Sequence, residues 1–259
     1  MSSNNVLNGK VAIITGVAGA LGLATARLMA ERGATIVGID RPGTDFGKLE
    51  AALPLHATMT ALESDVTDEG SVQQYVKAAT DSYGRIDVFF NNAGIEGIVS
   101  PIPEYPLEEF QKVLAVNVVG VFLGLKHVIP IMAAQGGGSI INSSSTSGLC
   151  GRAGMPAYTA SKHAVIGLTR TAAAEWAAAG VRVNCVNPGP IVSRMMDSLS
   201  EGRSPGGAEA AREKAIRAIP AGRFGLPEEV AALVAFLASD EARFMHGGFY
   251  TVDGGMTAV

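Results

Sequence analysis

Cysteine, histidine, tryptophan and charge are all scarce in this chain. Two cysteines, Cys150 and Cys185, and four histidines in 259 residues make no disulfide framework and no metal-ligand spacing. So few thiols fit a reducing compartment. Charged residues are 17% of the chain and the formal net charge is −4, which leaves no basic surface for nucleic acid or an anionic membrane. Two apolar uncharged stretches, 11–26 and 113–125, are short of the roughly 20 residues that a spanning helix needs. The opening MSSNNVLNGK has no basic segment followed by an apolar one, so no secretory leader is expected. The expectation from these absences is a cytoplasmic protein with no metal, nucleic-acid or membrane partner.

What is abundant is apolar residues, at 47%, and glycine, at 32 residues. Short β-rich runs alternate with longer helical patterns. Strands are expected in 10–16, 35–40, 59–66, 86–94, 138–145, 181–189 and 249–255. Helices are expected over 21–33, 71–84, 107–132, 158–180 and 227–239. Strongly apolar strands alternating with helices predict an α/β fold, a parallel sheet covered on both faces, and the right-handed crossover makes it doubly wound. No linker or repeat divides the chain, so one domain is expected over 1–259. Its polar, Gly/Ser-rich interruption, near 194–219, reads as a mobile flap.

The turn TGVAGALG (15–22) joins the first strand to the first helix. Gly16, Gly19 and Gly22 are spaced three apart, which lets backbone approach a pyrophosphate at a helix N-terminus. Asp40 ends the second strand, where a carboxylate can accept adenosine-ribose hydroxyls and repel a 2′-phosphate. Arg41 follows and pulls the other way. Asp65, near the end of the third strand, can reach adenine or cap a helix. Tyr158 and Lys162 lie one turn apart on a helix face, placing an ammonium beside a phenol. Alone, such a pair is a common surface pattern.

Jointly, the motifs resemble the short-chain dehydrogenases/reductases over about residues 8–259. The carrying segments are TGVAGALG, NNAG (91–94), Asn117 in AVNVVG, Ser145 in INSSSTSG, YTASK (158–162) and NPGPIVS (187–193). Two positions depart from the family pattern: Ala20 stands where a glycine is usual, and Ser193 where a threonine is. The resemblance implies a seven-stranded Rossmann fold and a nicotinamide cofactor. It places Ala20, Leu21, Val66, Asn92, Pro188, Gly189, Ile191 and Ser193 among the cofactor contacts, and Asn91, Ala93 and Gly94 beside the adenosine ribose.

The same resemblance implies the chemistry. A hydride leaves a carbinol carbon only if the hydroxyl proton leaves too. Tyr158 takes or returns that proton. A free tyrosine titrates near pH ~10, so an ammonium beside it, Lys162, is expected to lower that value while also holding the nicotinamide ribose. Ser145 orients the substrate oxygen; Ser143 and Ser144 are adjacent rivals by residue type, and the family's spacing favours Ser145. Asn117 holds a relay water with Lys162.

The expected reaction is NAD-dependent hydride transfer between a nicotinamide and a secondary alcohol or ketone. Two alternatives stay open: an NADP-dependent carbonyl reductase, resting on Arg41, and a dinucleotide-binding sensor without catalysis. Leu149, Met155, Met195, Met196 and Ile98 predict an apolar, cyclic or aromatic substrate, with Glu96 and Arg152 as polar recognition. Apolar residues beyond one face of the long helices predict a homo-oligomer, and the last strand and DGGMTAV tail resemble family segments at a subunit contact, so a homotetramer is expected.

Overall fold

The computed structural model describes residues 6–203 and 206–258. In chain order its elements are β1 (Val11–Thr15), α1 (Ala20–Glu31), β2 (Thr35–Asp40), α2 (Gly47–Ala52), β3 (Met59–Glu63), α3 (Glu69–Tyr83) and β4 (Val88–Asn91). Next come α4 (Leu107–Leu114), a π-helical turn (Ala115–Val119), α5 (Gly120–Ala134), β5 (Gly138–Ser143) and α6 (Pro156–Trp176). The chain ends with β6 (Val181–Pro188), α7 (Arg194–Arg203), α8 (Ala208–Arg217), α9 (Pro227–Ala238) and β7 (Phe249–Val252).

All seven strands pair in parallel, in the order β3-β2-β1-β4-β5-β6-β7. Alternate side chains go to opposite faces of a strand. In β1, Val11 and Ile13 enter one apolar cluster with Phe89, Ile140 and Val183, beneath α3, α5 and α6. Ala12 and Ile14 enter the other, with Phe90, Ile141 and Val186, beneath α1 and α9. Two-sided burial is why the strands read as continuous apolar runs. The strand order reverses between β1 and β4. The two crossovers leave that point in opposite directions, so a crevice opens beyond the strand ends there.

Local signals set the helix limits. Asp68 accepts a hydrogen bond from the Ser71 amide at 2.7 Å and starts α3, which stops at Gly84 with φ +72°. Pro227 opens α9, and Glu229 reaches back to the Leu226 amide at 2.7 Å.

Three expectations need amendment. The helix expected over 107–132 runs Leu107–Ala134, but with the π turn at Ala115–Val119 in its middle. This run of 28 residues, mean hydropathy 1.8 in its most apolar window, is long and apolar enough to cross a membrane by length and composition, and 44% of that window is buried inside the fold. The stretch 113–125 is short only when read without its flanks. The region expected as a flap holds two helices, α7 and α8; its glycines and serines obscured the helix-forming runs RMMDSLSE and AEAAREKAIR. Helix α2 was not expected.

Candidate active site

The turn after β1 is packed too closely for side chains. Gly16 has φ +65°, and a Cβ on it would stand 3.0 Å from Ala93 Cα. A Cβ on Gly22 would fall against the Gly16 carbonyl oxygen and 2.7 Å from Val17 Cα. Gly22 therefore shapes the turn from beneath and does not line the cleft, a correction to its place among the cofactor contacts. Helix α1 starts at Gly19 with no side-chain cap, so its first amides keep their hydrogen-bonding capacity and the dipole its positive end. Ala20 and Leu21 line the cleft beside them.

Around this turn the strand ends are tied together. Thr15 Oγ1 accepts from the Asn92 and Ala93 amides at 2.9 and 3.0 Å, and Asn92 Nδ2 donates to the Thr15 carbonyl at 3.0 Å. Asn91 is turned inward instead, donating to the Val121 carbonyl at 3.0 Å. The Asp40 carboxylate is held by three donors: the Ala18 amide at 2.9 Å, the Arg41 amide at 2.9 Å and the Thr44 hydroxyl at 3.3 Å. Asp65 Oδ1 accepts from the Thr67 amide and hydroxyl at 2.9 and 2.8 Å, while Asp68 is the cap of α3. Asp40, Arg41, Asp65 and Val66 all line the same cleft, of about 1400 Å³, as Gly16, Gly19, Ala93 and Gly94.

The other end of that cleft belongs to β5 and α6. Tyr158 and Lys162 are both buried, 8% and 4% exposed, so this pair is not the common surface pattern. Lys162 Nζ donates to the Ser143 carbonyl at 2.7 Å and stands 5.5 Å from the Tyr158 ring centroid. The three serines separate by their partners. Ser143 gives Lys162 its carbonyl. Ser144 Oγ donates to the Lys162 carbonyl at 2.9 Å. Ser145 hydrogen-bonds the Tyr158 hydroxyl, and its Oγ accepts from the Ser147 amide at 3.1 Å.

Asn117 sits fully buried in the π turn. Its Oδ1 accepts from the Ile95 amide at 2.8 Å; its Nδ2 donates to the Ile95 carbonyl at 2.9 Å and to Ser161 Oγ at 3.0 Å. The side-chain amide is thus engaged by Ile95 and Ser161. A Cβ on Gly94 would approach Asn117 Oδ1 to 3.2 Å and Lys162 Nζ to 3.5 Å, so glycine there keeps the space beside both open.

Electrostatics run against the simple expectation for the tyrosine. Burial pushes the Tyr158 hydroxyl up to about 12, helped by the Glu96 carboxylate and opposed by the Ser145 hydrogen bond. Burial also pushes the Lys162 ammonium down to about 8. Desolvation of both groups outweighs their mutual influence.

Pro188, Gly189, Ile191 and Ser193 line the cleft, as do Arg152, Met155, Met195 and Met196. Ser193 also starts α7, accepting from the Met196 amide at 3.3 Å. Leu149, Glu96 and Ile98 do not line it. Leu149 ends the short turn Thr146–Gly148, Glu96 is buried with Arg194 Nη1 at 3.8 Å, and Ile98 is exposed. Lys48, from the unexpected α2, and Lys214, from α8, line the cleft without having been expected there. So does Met256, whose tail DGGMTAV was expected only at a subunit contact.

These residues fit a dinucleotide: a glycine turn that excludes side chains, an uncapped helix start, and a strand-end carboxylate already fixed in place. The comparisons agree. The family described as Enoyl-(Acyl carrier protein) reductase matches residues 16–257. Levodione reductase of Leifsonia aquatica is 40% identical over 254 residues, 96% of this chain and 94% of that protein. A crystal structure of levodione reductase matches with a TM-score of 0.96 at 39% identity, covering 98% of this chain and 99% of that one. Cyclohexanol dehydrogenase of Acinetobacter sp. (strain SE19) is 37% identical over 262 residues, 98% of each chain. The crystal structure of an NAD+-bound xylitol dehydrogenase matches with a TM-score of 0.91 at 35% identity, covering 96% of this chain and 99% of that one.

The buried ammonium has a pH signature in stability. Lys162 titrates near 8 in the fold against an ordinary 10.5. Below pH 8 both states hold the proton, and the fold carries the whole desolvation cost. Between 8 and 10.5 the unfolded chain holds a proton that the fold has released, so stability rises with pH. Lys162→Met should therefore be more stable than wild type at pH 7. Its advantage should shrink by about 1–3 kcal/mol by pH 10, read as urea unfolding at both pH values.

Proposed function

The chain belongs to the short-chain dehydrogenases/reductases, and we propose that it is an NAD-dependent oxidoreductase of secondary alcohols and ketones, with an apolar cyclic or aromatic substrate. The observation that carries this reading is the buried Ser145–Tyr158–Lys162 arrangement at the mouth of β5, in the same cleft as the glycine turn. Apolar lining supports the substrate class: Met155, Met196 and Leu199 cluster with Ile219 and Phe224 beside Tyr158. Relatives named for levodione and cyclohexanol support it further.

When bound, a reduced nicotinamide would supply the hydride for a ketone, and an oxidised one would accept it from an alcohol, with Tyr158 then taking the hydroxyl proton instead of giving it. Gly16, Gly19, Ala20, Leu21, Asp40 and Asn92 hold its dinucleotide on this reading, and Pro188, Gly189, Ile191 and Ser193 flank its far end. The chain's own residues manage the proton. At neutral pH Tyr158 stands protonated, ready to donate to a carbonyl oxygen as that oxygen gains an electron pair. Ser145 bonds the same oxygen and fixes its position. Lys162, titrating near 8, can pass a proton toward Tyr158 near neutral pH. Asn117 positions Ile95 and Ser161, and through them the helix that carries Tyr158 and Lys162. The complete set argues against a non-catalytic sensor.

Arg41 and Lys48 line the adenosine end of the cleft and favour a second reading, an NADP-dependent carbonyl reductase. Asp40 outweighs them here: it is fixed by three donors, whereas Arg41 is exposed and can swing into solvent. We place the enzyme in the cytoplasm as one catalytic domain per chain.

Tyr158→Phe should leave cofactor affinity intact and cut turnover by about 10²–10⁴-fold; activity above a tenth of wild type would overturn the acid–base role. Wild type should prefer NAD in kcat/KM with both cofactors, and Asp40→Ala should narrow or invert that preference by about 5- to 150-fold, leaving Arg41 and Lys48 unopposed. The assembly is expected to be a homotetramer. Val119 and Phe122 are 45% and 47% exposed on the π turn and α5, and Phe249, 40% exposed, lies on the edge strand β7. Sedimentation at micromolar concentration reads this, and a monomer refutes it.

A further inference from the structure

Charge is divided unevenly along the cleft. The carboxylates that line it, Asp40, Asp45 and Asp65, come from the regions after β2 and β3, at the adenosine end. Arg41 and Lys48 offset them there, and Lys112 lines the cleft from α4. Around Tyr158 the lining is apolar, and the cations beside Lys162 are Arg152, Arg194 and Lys214, with no carboxylate among the described residues lining that part. This is a cationic patch in a chain whose net charge is −4.

The three cations differ in their partners. Arg194 stands 3.8 Å from the buried Glu96 carboxylate. Among the described residues, Arg152 and Lys214 have no carboxylate within ion-pair distance. Lys214 rides on α8 and is free to reach solvent. Arg152 is half-buried and held: its Nη2 lies 3.4 Å from Thr146 Oγ1, directly after Ser145, and 3.4 Å from Met256 Sδ. Those are a neutral hydroxyl and a weak sulfur acceptor. Neither offsets the cost of taking a guanidinium partly out of water.

We propose that the substrate carries a carboxylate away from its reacting carbon, and that Arg152 binds it. A guanidinium presents a planar fork of donors, which matches two carboxylate oxygens in a way that a lone ammonium does not. Arg152 reaches the cleft from the turn that follows Ser145. The carboxylate and the reacting oxygen therefore lie on one molecule of modest size, separated by an apolar body that meets Met155, Met196 and Leu199. The substrate class is a hydroxy- or ketocarboxylate built on a ring. This rests on reading the cleft as an alcohol/ketone site.

The test uses 3- and 4-hydroxycyclohexanecarboxylate and the matching keto acids, each paired with its methyl ester. Wild type, Arg152→Gln and Arg152→Lys are assayed with NAD and NADP for oxidation and with NADH and NADPH for reduction. The expected result is a wild-type preference for acid over ester of about 10- to 100-fold in kcat/KM. Arg152→Gln should lose that preference by raising KM for the acid about tenfold more than it raises KM for the ester, with the acid's kcat changed less than its KM. Arg152→Lys should recover part of the acid preference. Turnover of esters with no wild-type preference for acids overturns the carboxylate proposal and leaves the alcohol/ketone reading standing. Equal loss on acid and ester in Arg152→Gln assigns Arg152 a structural role and also overturns it. No turnover of acids, esters, cyclohexanol or cyclohexanone overturns the alcohol/ketone reading, and the proposal with it.

Discussion

One hydrogen bond, from the Lys162 ammonium to the Ser143 carbonyl, joins the two elements on which the chemistry depends. It fixes the first turns of α6 against the end of β5, and Ser144 returns a bond from β5's end to the Lys162 carbonyl. Because the ammonium is buried, it cannot trade this partner for water without cost. The same two contacts leave Ser145, the next residue along, as the hydroxyl that meets Tyr158. The arrangement of Ser145, Tyr158 and Lys162 is thus a consequence of how one cation is satisfied.

The π turn plays the matching part on the other side. An ordinary α-helix through Ala115–Val119 would be one residue tighter, and Asn117 would rotate away from Ile95. The wider turn sets the amide against both backbone groups of Ile95 and against Ser161 on α6. An amide among valines is expensive unless all its bonds are made, and here each of its polar atoms has a partner. The segment after β4 and α6 are thereby locked to one side chain.

Much of this was legible in the residues. The doubly wound sheet followed from apolar strands alternating with amphipathic helices, and Gly84 ended its helix where the sequence said it would. The glycine turn and Asp40 sat where a strand end had to be. Quantities that depend on burial were not legible. No pattern of residues says that Tyr158 is desolvated enough to rise to about 12, because the atoms that bury it come from distant parts of the chain. The three adjacent serines share one residue type, and only their partners separate them. The π turn was invisible for a similar reason: its sequence continues the apolar helical pattern without a break. Helices α7 and α8 were obscured by the glycines between them, and Leu149 looked like lining only because it is near Ser145 in sequence.

The cleft draws its walls from Gly16 near one terminus and Met256 near the other. During synthesis the two halves of the site therefore come into being at different times. The turn after β1, α1 and the end of β2 are made early, but the turn is tied to Asn92 and Ala93, and α1 packs against α9 near the other end of the chain. The Arg152–Met256 contact must wait until 104 further residues have been made after Arg152. The cleft is thus completed from both ends of the described chain together, and no chain that stops short of Met256 closes that wall.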